Sequence, residues 1–214
     1  MKKRVVILFP GSAHRPIGGH KVVYEYANRF VADGYEVDMV YPAFKYRYGK
    51  FQLGEFLWRF SYATLNYIIR YLFHLYSCRK WFPLDKRIRE HWVYSLRKNH
   101  IPNADIYIAT AIKTSVYLNS YKYVPNNSKL YFIQGYENWG RTDKEVRQTY
   151  HYGMTNIVVS TWLKDILEKE ENENEAIVAE ETYSYDIEEF TNDDEEEYDE
   201  EDESDDIQVK KKKK

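Results

Sequence analysis

The residues able to do chemistry fall in three separated stretches of a 214-residue chain. The first is residues 9–25, FPGSAHRPIGGHKVVYE, where a strand-forming run ends in a Pro/Gly loop and a glycine pair opens a helix. Gly18 and Gly19 would let a ligand approach the backbone, and the free N–H groups of a helix N-terminus favour an anion or hydroxyls. A plain turn is the alternative. His20 falls in the first helical turn, either as a binding group or as a capping or solvent-facing histidine. Arg15 and Lys21 could hold phosphate. The second stretch, YFIQGYENW, carries Gln134 and Glu137 just after a strand. Glu137 is one of only 12 acidic residues before residue 168. A carboxylate there can accept ligand hydroxyls or act as a base, with a surface ion pair to Arg141 as the alternative. In the third stretch, NIVVSTWLKDIL, Ser160 could donate to a ligand, but capping the next helix suits it better. No residue is singled out as catalytic.

Several chemistries are excluded. The loop lacks the G-x-G-x-x-G dinucleotide fingerprint, and no G-x-x-x-x-G-K-[ST] phosphate loop occurs. The six histidines, at 14, 20, 74, 91, 100 and 151, show no metal-ligand spacing, and the lone Cys78 completes no zinc set. No metal and no tightly bound cofactor are expected. Cys78 reads as a small core residue, and one cysteine builds no disulfide framework.

These stretches need a scaffold, and the pattern provides one. Residues 5–9, VVILF, form a continuous apolar run, as in a strand buried on both faces. The start MKKRVVILFPGS has too short an apolar run for a secretory signal, so a cytoplasmic location is expected. Val22, Val23, Tyr26, Ala27, Phe30 and Val31 recur at helical spacing, and Gly34 after Asp33 reads as a helix C-cap. YEVDMVYP then forms a second strand, completing a β-α-β unit. After Pro102 strands are predicted over 104–110, 129–134 and 155–160. Helices are predicted over 112–121, 142–152 and 161–170. This alternation predicts an α/β fold: a Rossmann-like, doubly wound parallel sheet with helices on both faces. In such a sheet ligands bind beyond the carboxyl ends of the strands, where all three chemical stretches lie.

Between the two halves, about residues 50–100, a helical insertion is predicted. Its first part, FLWRFSYATLNYIIRYLFHLYSC, is aromatic and apolar but carries Arg59, Asn66, Arg70 and His74, so it is no membrane span. It is an amphipathic helix that covers the sheet with its arginines reaching outward, or one that touches a membrane surface. The ordered domain is expected to span residues 1–171. Residues 172–214 form an acidic low-complexity tail ending in five lysines, expected to be disordered. A solvated tail is the main reading; an electrostatic cover for the body and weak cation binding are the others. Charge divides the same way: residues 1–167 hold 25 Lys/Arg against 12 Asp/Glu, and residues 168–214 hold 6 against 22. A basic body points to anionic partners.

The stretch GGHKVVYEYANRFVADGYEVDMV resembles the start of the glycosyltransferase family 4 N-terminal domain, of the GT-B fold. YFIQGYENW looks like the loop after a later strand in rhamnosyltransferase-like members. NIVVSTWLKDIL is similar to the family's strand and helix near the end of that domain. The resemblance covers residues 3–167. Many members carry a His where Gln134 stands, so Gln134 implies amide hydrogen bonding. The resemblance implies transfer of a sugar from a nucleotide-sugar to a glycan or lipid-linked acceptor, in cell-surface polysaccharide or glycolipid synthesis, with retention. It implies that the Gly18–Gly19 loop faces the cleft, near the donor phosphate and the acceptor. GT-B enzymes hold the donor in a second Rossmann-like domain, whose pattern does not follow Leu167. A truncated, weakly active or inactive enzyme is therefore expected, or half of a split one whose partner chain supplies that domain. Two other classes stand beside it. One is a non-catalytic module docking on a partner or on an anionic membrane, at the inner face. The other is a nucleic-acid binder, for which Lys45–Tyr48, KYRY, is the best evidence. It ranks last because no nucleic-acid motif occurs.

Overall fold

The apolar run at the start forms β1 (Arg4–Leu8), whose residues 5–8 are fully buried. It alternates between two cores. Val5, Ile7 and Phe9 face one, and Val6 and Leu8 the other. Each such side chain contributes roughly 1.5–3 kcal/mol by burial. A computed structural model describes residues 2–12, 15–43, 61–62, 64–65, 67–69, 77–138, 141–168 and 176–178.

β1 leads into α1 (Gly18–Ala32), which buries Val23, Tyr24, Ala27 and Val31 on the first core. Gly34, at φ +93°, ends α1 in a Schellman turn. Its N–H bonds to Val31 O at 3.1 Å, and Tyr35 N–H reaches back to Phe30 O at 2.9 Å. The Phe30 and Tyr35 rings then meet edge-on at 5.9 Å, the apolar contact that accompanies this cap. β2 (Glu36–Pro42) follows and pairs with β1 in parallel.

Three further units complete the sheet: β4 (Ile106–Ala109), α2 (Ile112–Asn119), β5 (Lys129–Ile133), α3 (Asp143–Tyr150), β6 (Thr155–Val158) and α4 (Thr161–Glu168). The three helices lie on the second core, through Ile112, Leu118, Val146, Tyr150, Leu163 and Leu167. α1 is thus on one face and α2–α4 on the other, and every strand pair is parallel. With β3 (Arg89–Val93) and β7 (Ala176–Val178) at the edges, the strand order is β3-β2-β1-β4-β5-β6-β7. This is the expected α/β Rossmann-like, doubly wound sheet.

Two strands were not in the sequence reading. The stretch PLDKRIREHWVYSLRK, expected to be helical, supplies β3 (Arg89–Val93) at the β2 edge. Strand period wins because the alternation has partners on both faces. Arg89 donates to Asp38 at 2.7 and 2.8 Å, and His91 donates to Asp38 at 2.6 Å, on one face. On the other, Trp92 stacks on Tyr41 at 5.8 Å, and Glu90 accepts from Arg79 at 2.9 Å. Of the remaining insertion, residues 61–62, 64–65 and 67–69 are helical, Cys78–Lys80 and Lys98–His100 form 3-10 turns, and residues 50–60 and 70–76 lie outside the described residues. Cys78 is buried in the first core. The other strand, β7 (Ala176–Val178), pairs with β6 beyond the boundary expected at residue 171. The acidic run and terminal lysines, expected to be disordered, lie outside the described residues. Among the described residues no helix is long and apolar enough to cross a membrane.

Candidate functional site

With all strands parallel, their carboxyl ends share one edge. The chain leaves β1 toward β2 and leaves β4 toward β5, so the crossovers part between β1 and β4 and open a crevice. A cavity of about 400 Å³ lies there. Its floor comes from the end of β1, at Phe9 and Pro10, and the end of β4, at Thr110 and Ala111. One wall is the start of α1, through Ile17, Gly19, His20 and Val23. The other is the segment after β5, from Gln134 to Glu137.

Each polar group there has a physical reason for its position. α1 begins after Ile17, with no side-chain cap and no acidic residue in its first turn, so among the described residues no side chain answers its positive end. Gly19 meets Gln134 face to face: a Cβ on Gly19 would stand 3.0 Å from Gln134 Oε1. Glycine is what lets α1 and the β5 loop approach so closely. Gln134 Nε2 donates to Thr110 O at 3.5 Å, a long bond that ties the β5 loop to the end of β4. The Thr110 hydroxyl donates to Leu8 O at 2.9 Å, tying β4 to β1. Thr114 Oγ1 accepts the N–H groups of Thr110 and Ala111 at 2.9 and 3.0 Å, capping α2 from inside.

His20 donates from Nε2 to Gly11 O at 3.2 Å and stacks on Phe9 with centroids 5.2 Å apart. Burial lowers its pKa, partly offset by the Gly11 bond, so the neutral ring with Nδ1 as acceptor is favoured. Glu137 is tied to the backbone at the start of α2. Its Oε2 accepts the Ile112 N–H at 3.0 Å, at the first turn of α2. Burial raises its pKa against the opposing pull of that bond, Arg141 and Lys113. One helix N-terminus is thus answered by a carboxylate and the other is open to a ligand. Polar groups on one side and Phe9, Ile17 and Val23 on the other suit a hydroxylated ring with an apolar face.

Four of the expected residues therefore line one cavity: Gly19, His20, Gln134 and Glu137. Gly18 adjoins them in the first turn of α1 but does not line the cavity, and space around it is open. Arg15 is exposed on the loop and outside the lining. Ser160 Oγ accepts the Leu163 N–H at 3.3 Å and so caps α4, away from the cavity. Sequence reasoning placed Thr110 at a strand end without a role, and it missed Phe9 and Ala111. Their signal is only position, one or two residues past the end of a buried strand. No family model matches the chain, and no curated protein sequence matches it.

Proposed function

We propose that this is the acceptor-side domain of a glycosyltransferase-like protein of the GT-B type, acting on a nucleotide-sugar and a lipid-linked or polysaccharide acceptor. One observation supports the reading above the others. Gly19, His20, Gln134 and Glu137, up to 118 positions apart in sequence, line one cavity at the parting of the crossovers. In this reading the neutral His20, the Gln134 amide and the Glu137 carboxylate hydrogen-bond ligand hydroxyls. The α1 N-terminus takes the most electronegative group, a hydroxyl or phosphate oxygen. Phe9 and Val23 cover an apolar sugar face.

The test is nucleotide release from UDP-, GDP- and dTDP-sugars by the purified chain, with a lipid extract of the source cells as acceptor. Direct titration of each sugar runs in parallel. Gly19→Trp, which fills the cavity mouth, is expected to abolish both signals. Binding without release would assign a non-catalytic sugar-binding module instead. Release or binding undiminished in Gly19→Trp would overturn the reading.

A further inference from the structure

Among the described residues that line the cavity between β1 and β4, Glu137 carries the full charge. None of the others is Lys, Arg or Asp, and His20 is favoured neutral. The two oxygens of Glu137 differ. Oε2 accepts the Ile112 N–H at 3.0 Å. No described residue donates to Oε1, which is not sealed away from solvent. With Glu137 lining the cavity, Oε1 is the oxygen that a ligand meets.

A half-buried carboxylate with one backbone donor is short of positive charge. Arg141 and Lys113 act on it through space, yet burial outweighs them and the Ile112 bond together, so the carboxyl's pKa is raised. A buried charge is costly unless a partner of opposite sign reaches it. A ligand hydroxyl would give Oε1 a hydrogen bond but no charge. An ammonium gives both, and charge-assisted bonds are about twice as strong as neutral ones. The rest of the lining says what carries the ammonium. Phe9, Val23 and Tyr136 line the same space and suit the C–H face of a sugar ring. Neutral His20 offers Nδ1 to its hydroxyls, since Nε2 is held by Gly11 O.

We propose that the cavity is specific for an amino sugar with a free amine, whose ammonium pairs with Oε1 of Glu137. N-acetylation removes the charge and leaves one N–H donor; a hydroxyl in the amine's place leaves one O–H donor. Both forfeit the ion pair. The proposal rests on the reading of this cavity as a sugar site and narrows it to a substrate class.

The experiment is ligand-observed NMR titration of the full chain at about pH 6.5, where such an amine is protonated. The probes are the methyl glycosides of glucosamine, N-acetylglucosamine and glucose, with propylammonium as a charge without a ring. Wild type is expected to bind the glucosaminide at least about tenfold tighter than the other three, a comparison that needs no variant. Glu137→Gln, its folding checked by a thermal melt, should bring glucosaminide and glucoside to within about twofold of each other. Equal affinity of wild type for these two would overturn the proposal and leave the sugar-site reading standing. A glucosaminide advantage that survives in Glu137→Gln would overturn it too, since the amine would then bind elsewhere. So would propylammonium binding as tightly as the glucosaminide, which assigns a site for charge alone. If no glycoside binds, the proposal and the sugar-site reading both fall.

Discussion

At Gly19 a methyl group would stand 3.0 Å from Oε1 of Gln134 and 3.6 Å from its Cδ. The obstacle is the far end of a flexible side chain, so the fold can yield there while the cavity cannot. Gly19→Ala is expected to shift stability by less than about 1 kcal/mol and to weaken sugar binding at least about tenfold, checked by thermal melts and titration side by side. Glu137 carries a different signature. Its folded pKa is raised, chiefly by burial. Its ionisation therefore costs stability as pH rises from the ordinary carboxylate value of about 4.3 through its folded value. Glu137→Gln keeps an acceptor for Ile112 N–H without that cost. Its stability relative to wild type should climb over this window, while ligand affinity at neutral pH falls about tenfold or more through the lost charged acceptor. Urea melts across pH 4–7 and titration at pH 7 separate the two effects. These residues were legible because a glycine pair and a lone acid stand out at strand ends within the basic residues 1–167. Phe9, Thr110 and Ala111 were not. They line the cavity only because β4 sits beside β1, and strand order is not written in local pattern.

At the scale of elements the legible parts are those with repeated period and a stop signal. α1 was readable from its apolar spacing and from Gly34, whose φ of +93° lets Gly34 N–H and Tyr35 N–H close the helix end. No atom lies within 4 Å of where a Cβ on Gly34 would be, so Gly34→Ala isolates the backbone strain. The expected loss is about 1 kcal/mol, seen in denaturant melts, with no change in ligand binding. A loss near zero would mean the turn tolerates a side chain at positive φ. β3 was misread because IREHWV carries two charges and a histidine, which suit a solvated helix face. They become a strand face only once the buried Asp38 of β2 stands opposite Arg89. β7 is three residues long, too short for any periodicity to show.

At the scale of the whole molecule that same Asp38 governs the response to acid. Its side chain is 2% exposed, on the edge strand pair that closes the sheet. Burial alone would raise its pKa. Hydrogen bonds from Arg89 and His91, with their charges, override that and hold the carboxyl well below the usual carboxylate range. A carboxylate whose folded pKa is depressed stabilises the fold above its unfolded value of about 4. That contribution is lost as pH falls from there toward the folded value. His20 acts earlier, because its lowered pKa makes protonation costly in the folded chain below about pH 6.5. Glu137 works the other way over pH 7–4, since protonation relieves its buried charge. The two partly cancel in mild acid, and the steep loss should come only below about pH 4, where Asp38 titrates. Asp38→Asn removes that step. The variant should be less stable than wild type at pH 7 by about 2 kcal/mol, since a buried carboxylate pair is broken beside partly exposed partners. It should then lose less on going from pH 4 to pH 2. Urea denaturation of both proteins at pH 7, 4 and 2 provides the comparison. Curves that converge in acid place the acid sensitivity of the domain in the β2–β3 edge. Curves that stay parallel would move it to the other carboxylates of the body.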